Sequence, residues 1–245
     1  MNEYVIVQDN NLVDAMSEEH YSAFELDFIN YGIRTIGLRD EDFDTIVVNI
    51  SELYEEAHGT KLTGKPRRKI FEKIKNLNKK NIVFQSKFEE DTTVVTNWFQ
   101  WIEYKEGSGT FKVEFNEKLT NYLLQLKKKF TTIDSRVFIL ERGYTKRLYT
   151  LMKKIFNDVK ERKFEIEELR KLLMIGDRYQ DNYNFKKSVI EPAIEDINKL
   201  ADFTLTYEEV KQGRKITHIK FIKHKKDKVE IEGKGEYKAP EFPVF

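Results

Sequence analysis

Tyr183–Leu200, YNFKKSVIEPAIEDINKL, followed by Phe203–Ile222, FTLTYEEVKQGRKITHIKFI, decides how this chain is read. Phe185, Val189, Ala193 and Ile197 recur every fourth residue and form one apolar helical stripe, with Lys187, Ser188, Glu191 and Glu195 on the opposite side. Asn184 is placed to cap this helix. Pro192 removes a bond to the Ser188 carbonyl, so a kink is expected there. The next segment alternates with period two, Phe203, Leu205 and Tyr207 on one arm and Thr217, Ile219 and Phe221 on the other, around a turn holding Gly213 and Arg214. A helix with bases at its front, followed by a charged hairpin, is a device for reading DNA.

Working outward, the same order occurs twice. Upstream in the second half, Ser135 opens a short helix ending near Gly143. Thr145 caps a longer one with Leu148, Leu151, Met152 and Ile155 inward. Phe164–Ile166 reads as a strand, Glu167–Met174 as a helix, and Gly176 as its stop. In the first half, most of Leu12–Tyr31 reads as helix, Ile46–Ile50 as a buried strand, and Ser51 as the cap of a helix to about His58. Pro66 fits the first turn of a basic helix whose core face is Ile70, Phe71, Ile74 and Leu77. Asn81–Ser86, Thr92–Phe99 and Thr110–Phe115 read as strands, and Asn116 opens a helix through Leu119, Leu123 and Leu126. The expected fold is α+β: two tandem winged helices, residues 1–130 and 131–225, joined by Thr131–Asp134 and held in a nearly fixed relation. Residues 226–245, with Gly233, Gly235, Pro240 and Pro243, read as an extended or disordered tail.

Composition narrows the function. With 245 residues and 40% apolar content the chain can bury sizeable cores. It has no cysteine, which excludes disulfides and thiolate metal sites and fits a reducing cytoplasm. No apolar run approaches the roughly 20 residues of a membrane helix, and no leader is read at the start, so no membrane partner is expected. The net charge of +1 averages over strong segregation. Up to Thr60 the only bases are Arg34 and Arg39. From Lys61 to Lys87, the bases Lys61, Lys65, Arg67, Arg68, Lys69, Lys73, Lys75, Lys79, Lys80 and Lys87 face Glu72 alone. A second basic run, Lys211–Lys228, includes Arg214 and Lys215. Two basic segments, each tied to a helix-and-hairpin pattern, fit phosphate neutralisation better than they fit two solvated faces.

Enzymatic readings fail on particular residues. Gly59–Lys65, GTKLTGK, follows the phosphate-loop pattern until Pro66 replaces the magnesium-binding Ser or Thr, and it follows a helix instead of a strand. His20, His58, His218 and His224 contain no metal-spaced pair, and no His-hydrophobe-His motif of a DNA nickase is present. Asp40, Glu41, Asp42 and Asp44 fit a solvated loop better than a magnesium site. Trp98, Phe99 and Trp101 fit core or interface better than base stacking. No catalysis and no cofactor are expected.

The assembled motifs resemble a known family. TKRLYTLMKKI, FEIEELRKLL, YNFKKSVIEPAIEDINK and YEEVKQGRKITHIKF are similar to the C-terminal winged helix of theta-type plasmid replication initiators, and NNLVDA and KIFEKIKNLNKKNI are similar to its N-terminal one. The resemblance spans about Asn10 to Ile222. It implies binding to double-stranded iteron repeats, opening of adjacent AT-rich DNA, recruitment of host replication proteins, and a homodimer that represses its own operator. It further implies that Asn184–Leu200 is the second recognition helix, with Asn184, Lys186, Lys187 and Ser188 at its groove-entering end. Arg214 and Lys215 would form the wing tip, and Lys61, Lys65, Arg67, Arg68, Lys69 and Lys73 would lie along phosphates. Dimers would pair through the N-terminal domain, on the acidic and aromatic surface before Lys61. A double-winged-helix transcription regulator would use the same surfaces, and a lone operator in place of repeats would mark that alternative.

Overall fold

Strand β1 (Ile6–Asp9) and a single helical turn, α1 (Asn10–Val13), open the fold of the computed structural model, which describes residues 5–37, 40–60, 62, 66–105, 107–154 and 160–226. Helix α2 (Ala23–Arg34) begins where Glu25 accepts the Ser22 N–H at 2.8 Å, half of a capping box. Residues 14–22, expected to be helical, are instead an extended strap. Their backbone is engaged elsewhere: Met16 bridges Val83, His20 bridges Ile175, and the Ala15 carbonyl accepts from Arg147. No local pattern announces such partners.

Strand β2 (Ile46–Asn49) leads into α3 (Ile50–His58). Its cap is Asn49, which accepts the Ser51 N–H at 3.0 Å, so Ser51 is the capped residue and not the cap. Gly59 ends the helix with φ +67°, a left-handed stop. Helix α4 (Pro66–Leu77) starts at the proline as expected, with Ile70, Ile74 and Leu77 buried and Phe71 half-buried against Tyr104 and Phe111. Then come β3 (Ile82–Gln85), β4 (Thr93–Thr96), β5 (Phe99–Tyr104) and β6 (Thr110–Phe115). Thr92–Phe99 is therefore not one strand. The chain leaves the β3–β4 hairpin at Asn97, and buried Trp98 and Phe99 carry it into a second sheet. After a helical turn at Glu117–Leu119, α5 (Thr120–Leu123) stops short of Leu126.

Strand β7 (Phe130–Ile133) pairs antiparallel with β1, Ile6 opposite Ile133 and Asp9 opposite Phe130. Thr131–Ile133, expected as a plain connection, is thus sheet. Helices α6 (Arg136–Ile139) and α7 (Gly143–Lys153) follow. Gly143 opens α7 instead of closing α6, and Thr145 is buried inside the helix, not at its cap. Strand β8 (Glu161–Glu165) and helix α8 (Ile166–Leu172) lead to α9 (Asn182–Phe185), a π turn (Lys186–Ile190) and α10 (Glu191–Leu200), which run on as one rod. The hairpin β9 (Phe203–Gln212) and β10 (Lys215–Lys225) completes the described chain.

The two halves have the same topology. One sheet has the order β2-β6-β5 and the other β8-β10-β9. In each, the strand before the helices pairs with the last strand of the hairpin, and the intervening strand lies on the far edge. The β3–β4 hairpin is an insertion peculiar to the first half. These are two winged helices in an α+β fold, as the sequence implies.

Helix α7 fastens them together. The Arg147 guanidinium, 5% exposed, donates to the carbonyls of Val13 (2.9 Å) and Ala15 (2.8 Å) in the first half and Leu172 (2.9 Å) in the second. Beside it Lys146 forms an ion pair with Asp27 on α2 at 2.7 Å and donates to the Val137 and Phe138 carbonyls at 2.6 and 3.0 Å. A methyl group on Gly143 would come within 2.5 Å of the Tyr21 carbonyl, so α7 abuts the strap at backbone distance.

Candidate nucleic-acid interface

Helix α4 presents Arg68, Lys69 and Lys73 to solvent. Its burial of Ile70, Ile74 and Leu77 forces this, because residues between those positions on a helix must face away. Arg67 lies in the helix, but its side chain is outside the described residues. Lys61 and Lys65 are outside them altogether, as are Ile155 and the tail beyond Lys226. The segment does follow a helix, with Gly59 its stop, which is not the strand-to-helix turn of a phosphate loop.

In the second half, Phe185, Val189, Ala193 and Ile197 are all fully buried, so the opposite face of the rod is free. Its start differs from expectation. Asp181 is the cap, accepting the Asn184 N–H at 2.8 Å, and the Asn184 amide also donates to that carboxylate. Those backbone bonds hold the Asp181 carboxyl below its ordinary value. Pro192 acts one turn upstream. The Ser188 carbonyl, which the proline cannot satisfy, accepts the Tyr144 hydroxyl at 3.0 Å, and residues 186–190 widen into the π turn.

The expected reading residues are held by acids. Lys186 reaches Glu209 on β9 at 2.7 Å, tying the helix to the wing and raising its own amine pKa. Lys187 spans both carboxylate oxygens of Glu191 at 2.9 Å, and Glu191 also accepts the Tyr207 hydroxyl at 3.0 Å. Lys187 pulls the Glu191 carboxyl below its usual range, so it stays ionised. The pair is solvent-accessible and worth only about 0.3–0.5 kcal/mol, so a ligand can displace the carboxylate. Ser188 is half-buried, less accessible than its neighbour Lys187. At the wing, Gln212 pairs with Lys215 and Gly213 supplies φ +62° for the tight turn, leaving Arg214 and Lys215 exposed at the tip.

Three residues of this surface escaped the sequence reading. Tyr183, 67% exposed at the start of the rod, had only its place beside Asn184 as a signal. Glu191 was noted as outward but not as the partner of Lys187, although the i,i+4 spacing is legible. Arg178 lies in a loop with no pattern of its own. Among the described residues no group of His, Asp and Glu converges to hold a metal, and Asp40, Asp42 and Asp44 line a shallow surface hollow. Trp98 and Phe99 are core, 2% and 0% exposed. No helix among the described residues is long and apolar enough to cross a membrane.

Comparison with known proteins gives the following similarities. Residues 5–153 match the family model described as "Initiator Replication protein, WH1", and residues 165–222 match "Initiator Rep protein, WH2". The PI protein of Escherichia coli is 29% identical over 143 residues, covering 51% of this chain and 47% of that protein. A replication initiation protein of Escherichia coli is 30% identical over 121 residues, covering 47% of this chain and 38% of the relative. The matches thus span half or less of these relatives' length. A crystal structure of the Pi initiator protein in complex with iteron DNA superimposes with a TM-score of 0.69 at 20% identity, over 93% of this chain and 99% of that one.

Proposed function

Because this chain belongs to the initiator replication protein family and carries both of its winged-helix domains, we infer that it initiates plasmid replication by binding iteron repeats at an origin. The observation that carries this reading is the pair of exposed helices, α4 with Arg68, Lys69 and Lys73, and the α9–α10 rod with Lys187. The similar fold of the Pi initiator, solved on iteron DNA, supports it. Bound so, the chain opens adjacent AT-rich DNA, engages host replication proteins, and represses its own operator as a dimer through the acidic first-half surface. It has no catalytic step of its own. Residues 1–130 serve backbone contact and dimerisation, and 131–225 serve recognition.

Duplex selected by the protein from a random pool, then footprinted, tests this. Successive major grooves recur about every 10 base pairs, so one monomer should protect roughly 20, and the selected sequence should recur as direct repeats in its own replicon. Protection of a single half-turn, or a lone operator with no repeats, would favour a transcription regulator.

Division of labour on that duplex gives a second expected result. Arg214→Ala at the wing tip should weaken specific and random DNA alike and lower the slope of log K against log salt by about 1. Lys187→Ala should cost about 1–3 kcal/mol preferentially on the selected sequence. Equal losses on both DNAs for both variants would make Lys187 a phosphate contact and move base reading to Tyr183, Asn184 or Ser188.

A further inference from the structure

A cleft of about 960 Å³ lies between the two winged helices, beside α4 and the loop that precedes the second rod. One wall is α4, through Lys69, Lys73 and Asn76. The other is the loop of Arg178 and Tyr179, which runs directly into the Asp181 cap of the second recognition helix. The floor is built from both halves. Ser17 N–H donates to the Lys171 carbonyl at 3.1 Å, Tyr21 N–H to the Met174 carbonyl at 2.9 Å, and His20 bridges Ile175. Gly176, at φ +61°, fits against the His20 backbone, where a methyl group would come within 3.0 Å. The floor is therefore fixed before any ligand arrives.

The lining is cationic. Five bases, Lys69, Lys73, Lys80, Arg142 and Arg178, face three acids: Glu25 is buried and paired with Lys80, Glu72 is exposed and 3.5 Å from Lys75, and Glu141 is exposed. Arg142 is taken by Asp196. Lys69, Lys73 and Arg178 have no ion-pair partner among the described residues. Arg178 is nonetheless oriented, its guanidinium 3.0 Å from His20 Nε2. Burial, with Arg178 and Lys80 nearby, depresses His20 to about 4, so at neutral pH the ring is an uncharged acceptor. It directs the arginine without cancelling its charge.

Resting on the iteron-binding reading, we propose that this cleft is a phosphate seat. The sugar-phosphate backbone crossing between the two occupied major grooves lies in it, gripped by Arg178 from the second half and by Lys73 and Lys69 from the first. Positive charge, a rigid floor and a position between α4 and the loop leading into the second helix together fit a polyanionic strand running from one half to the other. A contact of this kind carries no sequence information. It sets the spacing at which both helices can read at once.

The test uses the full chain and the duplex it selects from a random pool, in a salt series, with neutral methylphosphonates replacing the phosphates midway between the two protected grooves. Wild type should lose roughly tenfold in affinity on the neutralised duplex. Arg178→Ala should lose a similar factor on the natural duplex, with a salt slope reduced by about 1, and lose little more on the neutralised one. Arg178→Lys should restore much of the slope. Wild type indifferent to the methylphosphonates, or Arg178→Ala as sensitive to them as wild type, overturns the seat while leaving iteron binding intact. Failure to select any duplex overturns the iteron reading itself, and the seat with it. The methylphosphonate arm needs no variant to fold.

Discussion

Replacing Arg147 with methionine is expected to destabilise the protein by about 3–5 kcal/mol, among the largest effects of any single change here. Methionine keeps the stem and most of the volume but donates nothing, so the carbonyls of Val13, Ala15 and Leu172 lose their donor in a dry interior. Each unsatisfied group costs about 1–3 kcal/mol, partly offset because a guanidinium no longer has to be desolvated. That desolvation is large enough to pull Arg147 down to about 10, still charged at neutral pH. The bonds run to both halves, so the variant should also lose the two-groove footprint before it loses helical content. Urea denaturation and footprinting check both. A loss under about 1 kcal/mol would mean the halves are held by apolar packing alone.

Asp27→Ala should cost a comparable amount, about 3–5 kcal/mol, because it leaves the Lys146 ammonium buried with carbonyls alone. The double change Asp27→Leu with Lys146→Met should recover most of it, since a buried pair replaced by apolar groups of similar volume is often neutral. The pair also has a pH signature. Burial lifts the Asp27 carboxyl to about 7, above its unfolded value near 4, so its favourable contribution is complete below about pH 4 and fades as pH rises through 7. Asp134 works the other way. Arg136, Lys153 and the Tyr149 hydroxyl hold its carboxylate well below the usual range, so its contribution is present above about pH 4 and is lost as the solution is acidified. Asp27→Asn should flatten the fall in stability between pH 4 and 7 and leave the acid limb in place. An unchanged profile between pH 4 and 7 would show that Asp27 does not titrate there.

What the sequence discloses and what it hides divide along a physical line. The α9–α10 rod, the wing and α4 were legible because each buries one face against its own immediate neighbours, and that burial writes a period of 3.6 or 2 into the chain. The strap at 14–22, the split at Asn97 and the pairing of β7 with β1 were not. Their partners lie up to more than a hundred residues away, as Ile6 and Ile133 do, and such contacts leave no local period. Within the candidate interface, exposure of Lys187, Arg214 and Lys215 followed from the pattern. The acids that hold Lys186 and Lys187, and the cleft that takes in Arg178, depend on how elements meet. Cap assignment erred by a few residues at Ser51 and Asn184 for a narrower reason: another polar residue nearby, Asn49 or Asp181, had the better reach.

The widened turn at Lys186–Ile190 is the geometry that one extra codon produces in a helix. Removing one residue there would rewind the turn to plain α-helix and leave the segments on either side in register, with buried Phe185 before the turn and Ala193 and Ile197 after it still on one stripe. Only the side chains within the turn, among them Lys186, Lys187 and Ser188, would change their bearing, while Tyr183 and Asn184 before it and the wing after it stayed put. A residue can thus be gained or lost at this turn, and the exposed side chains in it rearranged, without rebuilding the scaffold. The Tyr144 hydroxyl, on the Ser188 carbonyl, holds the turn from the neighbouring helix α7.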